Sequence, residues 1–271
     1  MNIIMTGATS FVGAATVREL LRRGHTVTAI ARPASSKLGT ILDGNEEALL
    51  SGRLLVTEND LSESEQLLEK ETKPQDVFCH FGWGGSGSAS RTDRALQEKN
   101  LEISLETIRT AKALGCKKFL FSGSQAEYGM HRDLITEETA CEPKSLYGEA
   151  KLAMREKGET LCGELGLRYI HARIFSAYGP GDHPWTLVES CLDAFLNNRE
   201  MSLGACTQNW NFLYIDDLAR GMAALCEAEE TAFEGISNPV FNFGGAETKV
   251  LKDFVEEIHT LCGGKGETRY N

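Results

Sequence analysis

Positive charge is in short supply. The chain carries 28 lysines and arginines against 39 aspartates and glutamates, a formal charge of −11. That balance excludes a general nucleic-acid binder or a polybasic membrane-surface protein. No apolar run approaches the roughly 20 residues of a membrane span. The residues after Met1 show neither a basic region nor a signal-peptide pattern, so a cytoplasmic protein is expected. Internal repeats, low-complexity tracts and long linkers are also missing. There are eight cysteines, but even the nearest pair, Cys191 and Cys206, is too far apart for a Cys-x-x-Cys site. They read as separate reduced thiols. The six histidines have no metal spacing, and no metal is expected.

What remains is an ordinary globular composition, 41% hydrophobic and 25% charged over 271 residues. That length suits one large domain, or one with a small lobe. The first 32 residues read as strand, glycine-containing turn, helix and strand, a βαβ unit. Alternation continues: strands at 54–56, 76–81, 118–122 and 168–174, and helices at 62–70, 91–114 and 145–165. Strands alternating with helices predict an α/β fold, a doubly wound parallel sheet of Rossmann type covered on both faces. Later pieces are a helix at 187–196, a strand at 212–215, a helix capped by Asp216, a strand at 240–243 and a helix at 251–261. Residues 1–174, with returning segments after 209, are expected to form the domain that holds this sheet. Residues 175–271 are expected to form mainly a small C-terminal substrate lobe.

Thr6-Gly7-Ala8-Thr9-Ser10-Phe11-Val12-Gly13 follows the first strand. A strand, a glycine turn and a helix N-terminus make an anion site. Gly7 serves the tight turn and Gly13 the close helix–strand contact, while Ser10 stands where a middle glycine is usual. Thr9, Ser10, Phe11 and Val12 are therefore expected beside a dinucleotide. The second strand ends Ile30-Ala31-Arg32. A carboxylate there favours NAD through the ribose hydroxyl. Arg32, with Lys37 nearby, suits a 2′-phosphate instead, so NADP(H) is the expected preference, with NAD(H) as the other option. Asp60 and Leu61 suit the adenine end. Phe81, Gly82 and Trp83 follow another strand end, in a loop of turn formers from Gly82 to Ser88, and are expected near the same ligand.

Tyr147 and Lys151 stand four apart, on one face of a helix. An ammonium beside a phenol favours the phenolate, which is then able to exchange a proton while a hydride moves. Ser124 lies just past a strand, at the strand end where ligands bind in open α/β sheets.

Taken together, these motifs resemble the extended short-chain dehydrogenase/reductase superfamily, its NAD-dependent epimerase/dehydratase family. The resemblance spans nearly the whole chain, adding Ser122-Gly123-Ser124-Gln125-Ala126-Glu127-Tyr128-Gly129, Arg173 to Gly181 and Phe212 to Asp217. It implies Tyr147 as acid/base, Lys151 also holding the nicotinamide ribose, Ser124 assisting and Asn100 in a structural role. It implies a homodimer built on the helices near Arg91 and Tyr147, with Leu101, Ile108, Leu152 and Leu161 buried between subunits or in the core. It further implies a nucleotide-sugar substrate, with a 4-epimerase or 4-keto-reductase activity. Gln125, Ser176 and Trp210 are the expected substrate residues. Departures narrow this. Gln125-Ala126 replaces the Asp-Glu of 4,6-dehydratases, so the acid and base for water elimination are missing. Trp210-Asn211 stands where an Arg-Asp usually helps hold the diphosphate. Two other readings stay open: an NADPH-dependent reductase of a non-nucleotide carbonyl compound, and a non-catalytic NADP(H) sensor.

Overall fold

The computed structural model describes residues 1–71, 73–85, 88–236 and 238–271, with Ser88 described by its backbone alone. Ser86 and Gly87, within the expected glycine-rich loop, lie outside the described residues. In chain order the elements are β1 (Asn2–Thr6), α1 (Phe11–Arg22), β2 (Thr26–Ala31), the short helices α2 (Gly39–Leu42) and α3 (Glu46–Leu50), and β3 (Leu54–Glu58). Next come α4 (Leu67–Lys70), β4 (Val77–His80), α5 (Arg94–Ala113), β5 (Lys118–Ser124), α6 (Leu146–Leu165) and β6 (Arg168–Ile174). The remainder is β7 (Ser176–Tyr178), α7 (Leu187–Leu196), β8 (Glu200–Leu203), β9 (Asn209–Tyr214), α8 (Ile215–Glu227), β10 (Val240–Phe243), β11 (Thr248–Val250), α9 (Leu251–Leu261) and β12 (Glu267–Tyr270).

The chain divides into two compact units. One is Met1–Ile174 with Asp216–Phe243, the other Phe175–Ile215 with Gly244–Asn271. The first holds a seven-stranded sheet in the order β10-β6-β5-β4-β1-β2-β3. All its pairings are parallel, the doubly wound arrangement expected from the alternation. Strand order reverses between β1 and β4, where Thr6 pairs with His80. Ligands of such sheets bind at this switch point.

β4 shows why its residues are all buried. Phe78 joins Ile4, Phe119, Ile108 and Met154 in the core under α5 and α6. Its neighbour Cys79 points the other way, as alternate strand residues must, and meets Cys226 of α8. Their sulfurs are 3.5 Å apart. All eight thiols are free, but the spacing argument for isolated cysteines does not hold for this pair. The fold brings together residues 147 positions apart. Lys118 is buried in the same unit, its ammonium donating to the Cys226 and Ala228 carbonyls at the end of α8. A cation there answers the unpaired carbonyls of a helix C-terminus.

The second unit contains the sheet β11-β9-β7 and the pair β12-β8. Cys191, Phe195 and Val255 form its own small core. Among the described residues no helix is long and apolar enough to cross a membrane.

Several boundaries differ from the sequence reading. The helix expected from Arg91 begins at Arg94, because the Asp93 carboxylate accepts the Leu96 N–H at 3.1 Å and caps it there. Arg91 belongs to a separate 3₁₀ turn, Ser88–Thr92. The expected helix 62–70 is a 3₁₀ segment, Leu61–Gln66, kinked at Glu63, followed by the single turn α4. Asp216 does not cap α8. The helix starts at Ile215, which places Asp216 and Asp217 in its first turn, where carboxylates suit the helix dipole. β7, β11 and β12 are too short or too polar to show a period of two, and in β8 the alternation Glu200-Met201-Ser202-Leu203 spans only four residues.

Candidate active site

The turn after β1 is built on close backbone contact. Gly7 has φ +68°, and a Cβ there would lie 2.5 Å from the Phe81 carbonyl carbon at the end of β4. A Cβ on Gly13 would lie 2.1 Å from the Gly7 oxygen. Both positions exclude any side chain. Ser10 is the N-cap of α1: its hydroxyl accepts the Gly13 N–H at 3.1 Å. The departure from glycine thus gives the helix a capping oxygen. The N–H groups of Phe11 and Val12, first in the helix, have no intrahelical acceptor. This narrow cradle, with free donors at a helix N-terminus, fits the pyrophosphate of a dinucleotide.

Arg32 is exposed just beyond the buried end of β2. The Asp60 carboxylate accepts from the Ser62 N–H at 2.9 Å and from its hydroxyl at 2.6 Å. Those bonds hold its acid below the ordinary range, with a smaller contribution from the charges of Lys99 and Arg32. Leu61 packs beside Gly82, where an added Cβ would come within 2.7 Å of it. Asp60 and Leu61 thus sit on the structured edge of the glycine region.

The loop after β4 is pinned from α5. Asn100 donates to the Gly84 carbonyl at 2.7 Å and accepts its N–H at 3.1 Å. Gln97 accepts from the Trp83 indole at 2.9 Å and donates to the Gly85 and Ser90 carbonyls. Trp83 is therefore held, not loose. Its ring meets Tyr147 edge-on at 6.3 Å. His80 is a packing residue, buried between Thr6 at 2.8 Å and Ser104 at 3.0 Å.

Ser124, Tyr147 and Lys151 come together at the carboxyl end of β5. The Ser124 hydroxyl accepts the Ala126 N–H at 3.2 Å and favours the ionised form of the nearby Tyr147 phenol. Lys151 is buried, donates to the Ser122 carbonyl at 2.7 Å, and lies 4.0 Å from the Trp83 ring and 4.5 Å from Phe121. Burial pushes its ammonium down to about 7. The expectation that Lys151 draws the Tyr147 phenol downward is not met. Its ammonium is 5.7 Å from the phenol ring and turned toward Ser122. Burial instead pushes the phenol up, opposed by the Ser124 hydroxyl and by the charge of Arg91.

Two groups here escaped sequence reasoning. Arg91 lies over the Tyr147 ring, 4.7 Å from its centre. Glu127, wholly buried, accepts from the Ser124 N–H at 2.8 Å, His171 at 2.9 Å and Arg173 at 2.7 Å. The available signal was the Ser-x-x-Glu spacing of a capping box, which Ser124 and Glu127 form. Gln125 opens the same 3₁₀ turn. Ser176 and Trp210 belong to the second unit, in β7 and β9. Ser176 pairs with Phe212, and Trp210 with Lys249. Asn211 is spent on the backbone, donating to the Gly245 and Glu247 carbonyls. No group of metal-ligating side chains occurs among the described residues.

A switch-point glycine turn beside a Ser–Tyr–Lys cluster defines an enzyme of the extended short-chain dehydrogenase type. The chain belongs to the NAD dependent epimerase/dehydratase family, whose model matches residues 3–244. It is 25% identical over 284 residues to an uncharacterized UDP-glucose epimerase of Bacillus subtilis (strain 168), covering 100% of this chain and 85% of that protein. It is 25% identical over 276 residues to a dTDP-6-deoxy-L-talose 4-dehydrogenase (NAD(+)) of Aggregatibacter actinomycetemcomitans, covering 100% and 94%. Among solved structures it is similar to a UDP-N-acetylglucosamine 4-epimerase from Methanobrevibacter ruminantium M1, in complex with UDP-N-acetylmuramic acid. That match has a TM-score of 0.85 at 22% identity and covers 100% of this chain and 84% of the other.

Proposed function

We propose that the protein is a nucleotide-sugar 4-epimerase using a nicotinamide dinucleotide, with Tyr147 as acid/base. The observation that carries this reading is Tyr147 and Lys151 gathered on Trp83, with Lys151 bonded to the Ser122 carbonyl on the strand that ends at Ser124, one loop from the Gly7 turn. Gly7 and Gly13 would hold the pyrophosphate, and Lys151 the nicotinamide ribose. A nicotinamide dinucleotide held there would supply the hydride acceptor and donor for the sugar carbon. Tyr147 takes the proton of the substrate hydroxyl as that carbon is oxidised, and returns it on reduction. Ser124 bonds the same oxygen. Gln125, Ser176 and Trp210 are the proposed substrate contacts. Relatives named as sugar-nucleotide epimerases support this substrate class.

A second reading is a 4-keto-reductase with an exchangeable dinucleotide: the relative named a 4-dehydrogenase (NAD(+)) supports the reaction class, and Arg32 alone supports NADPH as its cofactor. One experiment separates them. Purified protein is denatured to release bound dinucleotide, and native protein is given a panel of UDP- and dTDP-sugars without added cofactor. Interconversion of 4-epimers supports the epimerase. Turnover only with added NADPH supports the reductase, and no turnover of any nucleotide sugar overturns both. The proposal includes a homodimer. Ile108 is in the core, and Leu101 and Leu161 pack against it, so sedimentation as a monomer would remove only that part.

A further inference from the structure

The 3₁₀ turn Ser88–Thr92 brings one permanent cation onto the Tyr147 ring. The Arg91 guanidinium carbon lies 4.7 Å from the ring centre. Among the described residues, four other groups act on the phenol or its ring. Ser124, at the end of β5, is a neutral hydroxyl that favours the ionised phenol. Trp83, after β4, contributes a neutral ring edge at 6.3 Å. Lys151, on the same helix, is 5.7 Å from the ring, but its ammonium is bonded to the Ser122 carbonyl and lowered by burial. Glu127 contributes negative charge and opposes phenolate formation. Among the described residues, Arg91 is therefore the one group acting on the phenol that is a permanent cation.

We propose that Arg91 acts on the reaction through Tyr147, supplying the fixed positive charge against which the phenolate forms. This rests on the reading of Tyr147 as acid/base. Arg91 is a positioning residue for charge: it sits on the ring face, and a guanidinium attracts an electron-rich phenolate more strongly than a neutral phenol. Arg91 is exposed, so replacing it leaves the core untouched.

The test compares wild type, Arg91→Met, Arg91→Lys and Tyr147→Phe. Tyrosinate absorbance is titrated in each, and the Tyr147 component is obtained by subtracting the Tyr147→Phe curve. In Arg91→Met this component should move to higher pH by about half to one unit, and Arg91→Lys should restore most of it. On the nucleotide sugar turned over, the acid limb of kcat should move in parallel. That is an about three- to tenfold loss below the limb, with KM unchanged. An unmoved Tyr147 titration overturns the inference, as does a rise in KM with an unmoved limb, which would make Arg91 a substrate contact. Full activity of Tyr147→Phe would instead sink the acid/base reading, while the titration still reports on Arg91.

Discussion

Glu127 and Arg173 meet at 2.7 Å with both side chains shut off from water. Burial alone would raise the Glu127 carboxyl, but the charges and hydrogen bonds of His171 and Arg173 hold it down to about 2. The same carboxylate accepts the Ser124 N–H, so the network fixes the backbone under the candidate hydroxyl. Gly123 makes room for it: a Cβ there would lie 2.3 Å from His171 Nε2. Removing one partner strands the other charge. Arg173→Met should cost about 3–5 kcal/mol of stability, read from urea denaturation. A loss below about 1 kcal/mol would mean that water reaches Glu127.

Acid should destabilise the fold in two stages. His80 is kept neutral by burial, its imidazole held down to about 3 from an ordinary 6.5. A depressed folded value means full stability above 6.5 and progressive loss below it. The loss reaches about 2 kcal/mol near about pH 5. Glu127 acts lower, its contribution present above about 4.5 and lost as pH falls toward about 2. Urea midpoints that stay level from about pH 7 to about pH 5 would contradict the first stage.

Tyr147→Phe removes the phenol oxygen and keeps the ring that contacts Trp83 and Arg91. Turnover should fall by about 10²–10⁴ with an unchanged denaturation midpoint. Near-normal turnover would exclude Tyr147 as the acid/base.

Gly13→Ala should abolish dinucleotide binding and cost folding stability, by roughly 1–3 kcal/mol for a forced backbone shift. The new methyl would sit 2.1 Å from the Gly7 oxygen, which has no side chain to move aside. Ser10→Ala is the control: it should cost about 1 kcal/mol through lost capping and keep binding. Equal cofactor affinity in Gly13→Ala and wild type would refute the close contact.

Arg32→Ala tests cofactor choice. A charge-assisted bond to a 2′-phosphate contributes about 1.5–3 kcal/mol, or roughly ten- to a hundredfold in NADP(H) affinity. NAD(H) affinity should stay level. Tighter NAD(H) than NADP(H) binding by wild type would assign Arg32 to solvent and favour the epimerase with resident NAD.

Local order was legible in the chain itself. The Gly7–Gly13 turn, the Tyr147–Lys151 pair and the alternation of strands and helices depend on neighbours a few residues apart. Periodicity and turn chemistry therefore report them directly. Short polar strands such as Ser176–Tyr178 were not legible, because three residues hold no pattern.

Tertiary structure decided what acts on the candidate site. Glu127 reaches Arg173 across 46 positions and His171 across 44. Arg91 reaches Tyr147 from a turn that helical periodicity had assigned to α5. Lys151 shares a helix face with Tyr147, as its spacing requires, but its ammonium follows the Ser122 carbonyl. Spacing along a helix sets which side chains are neighbours. Desolvation and the charges brought in by distant strands and turns set which way those side chains point and how they ionise.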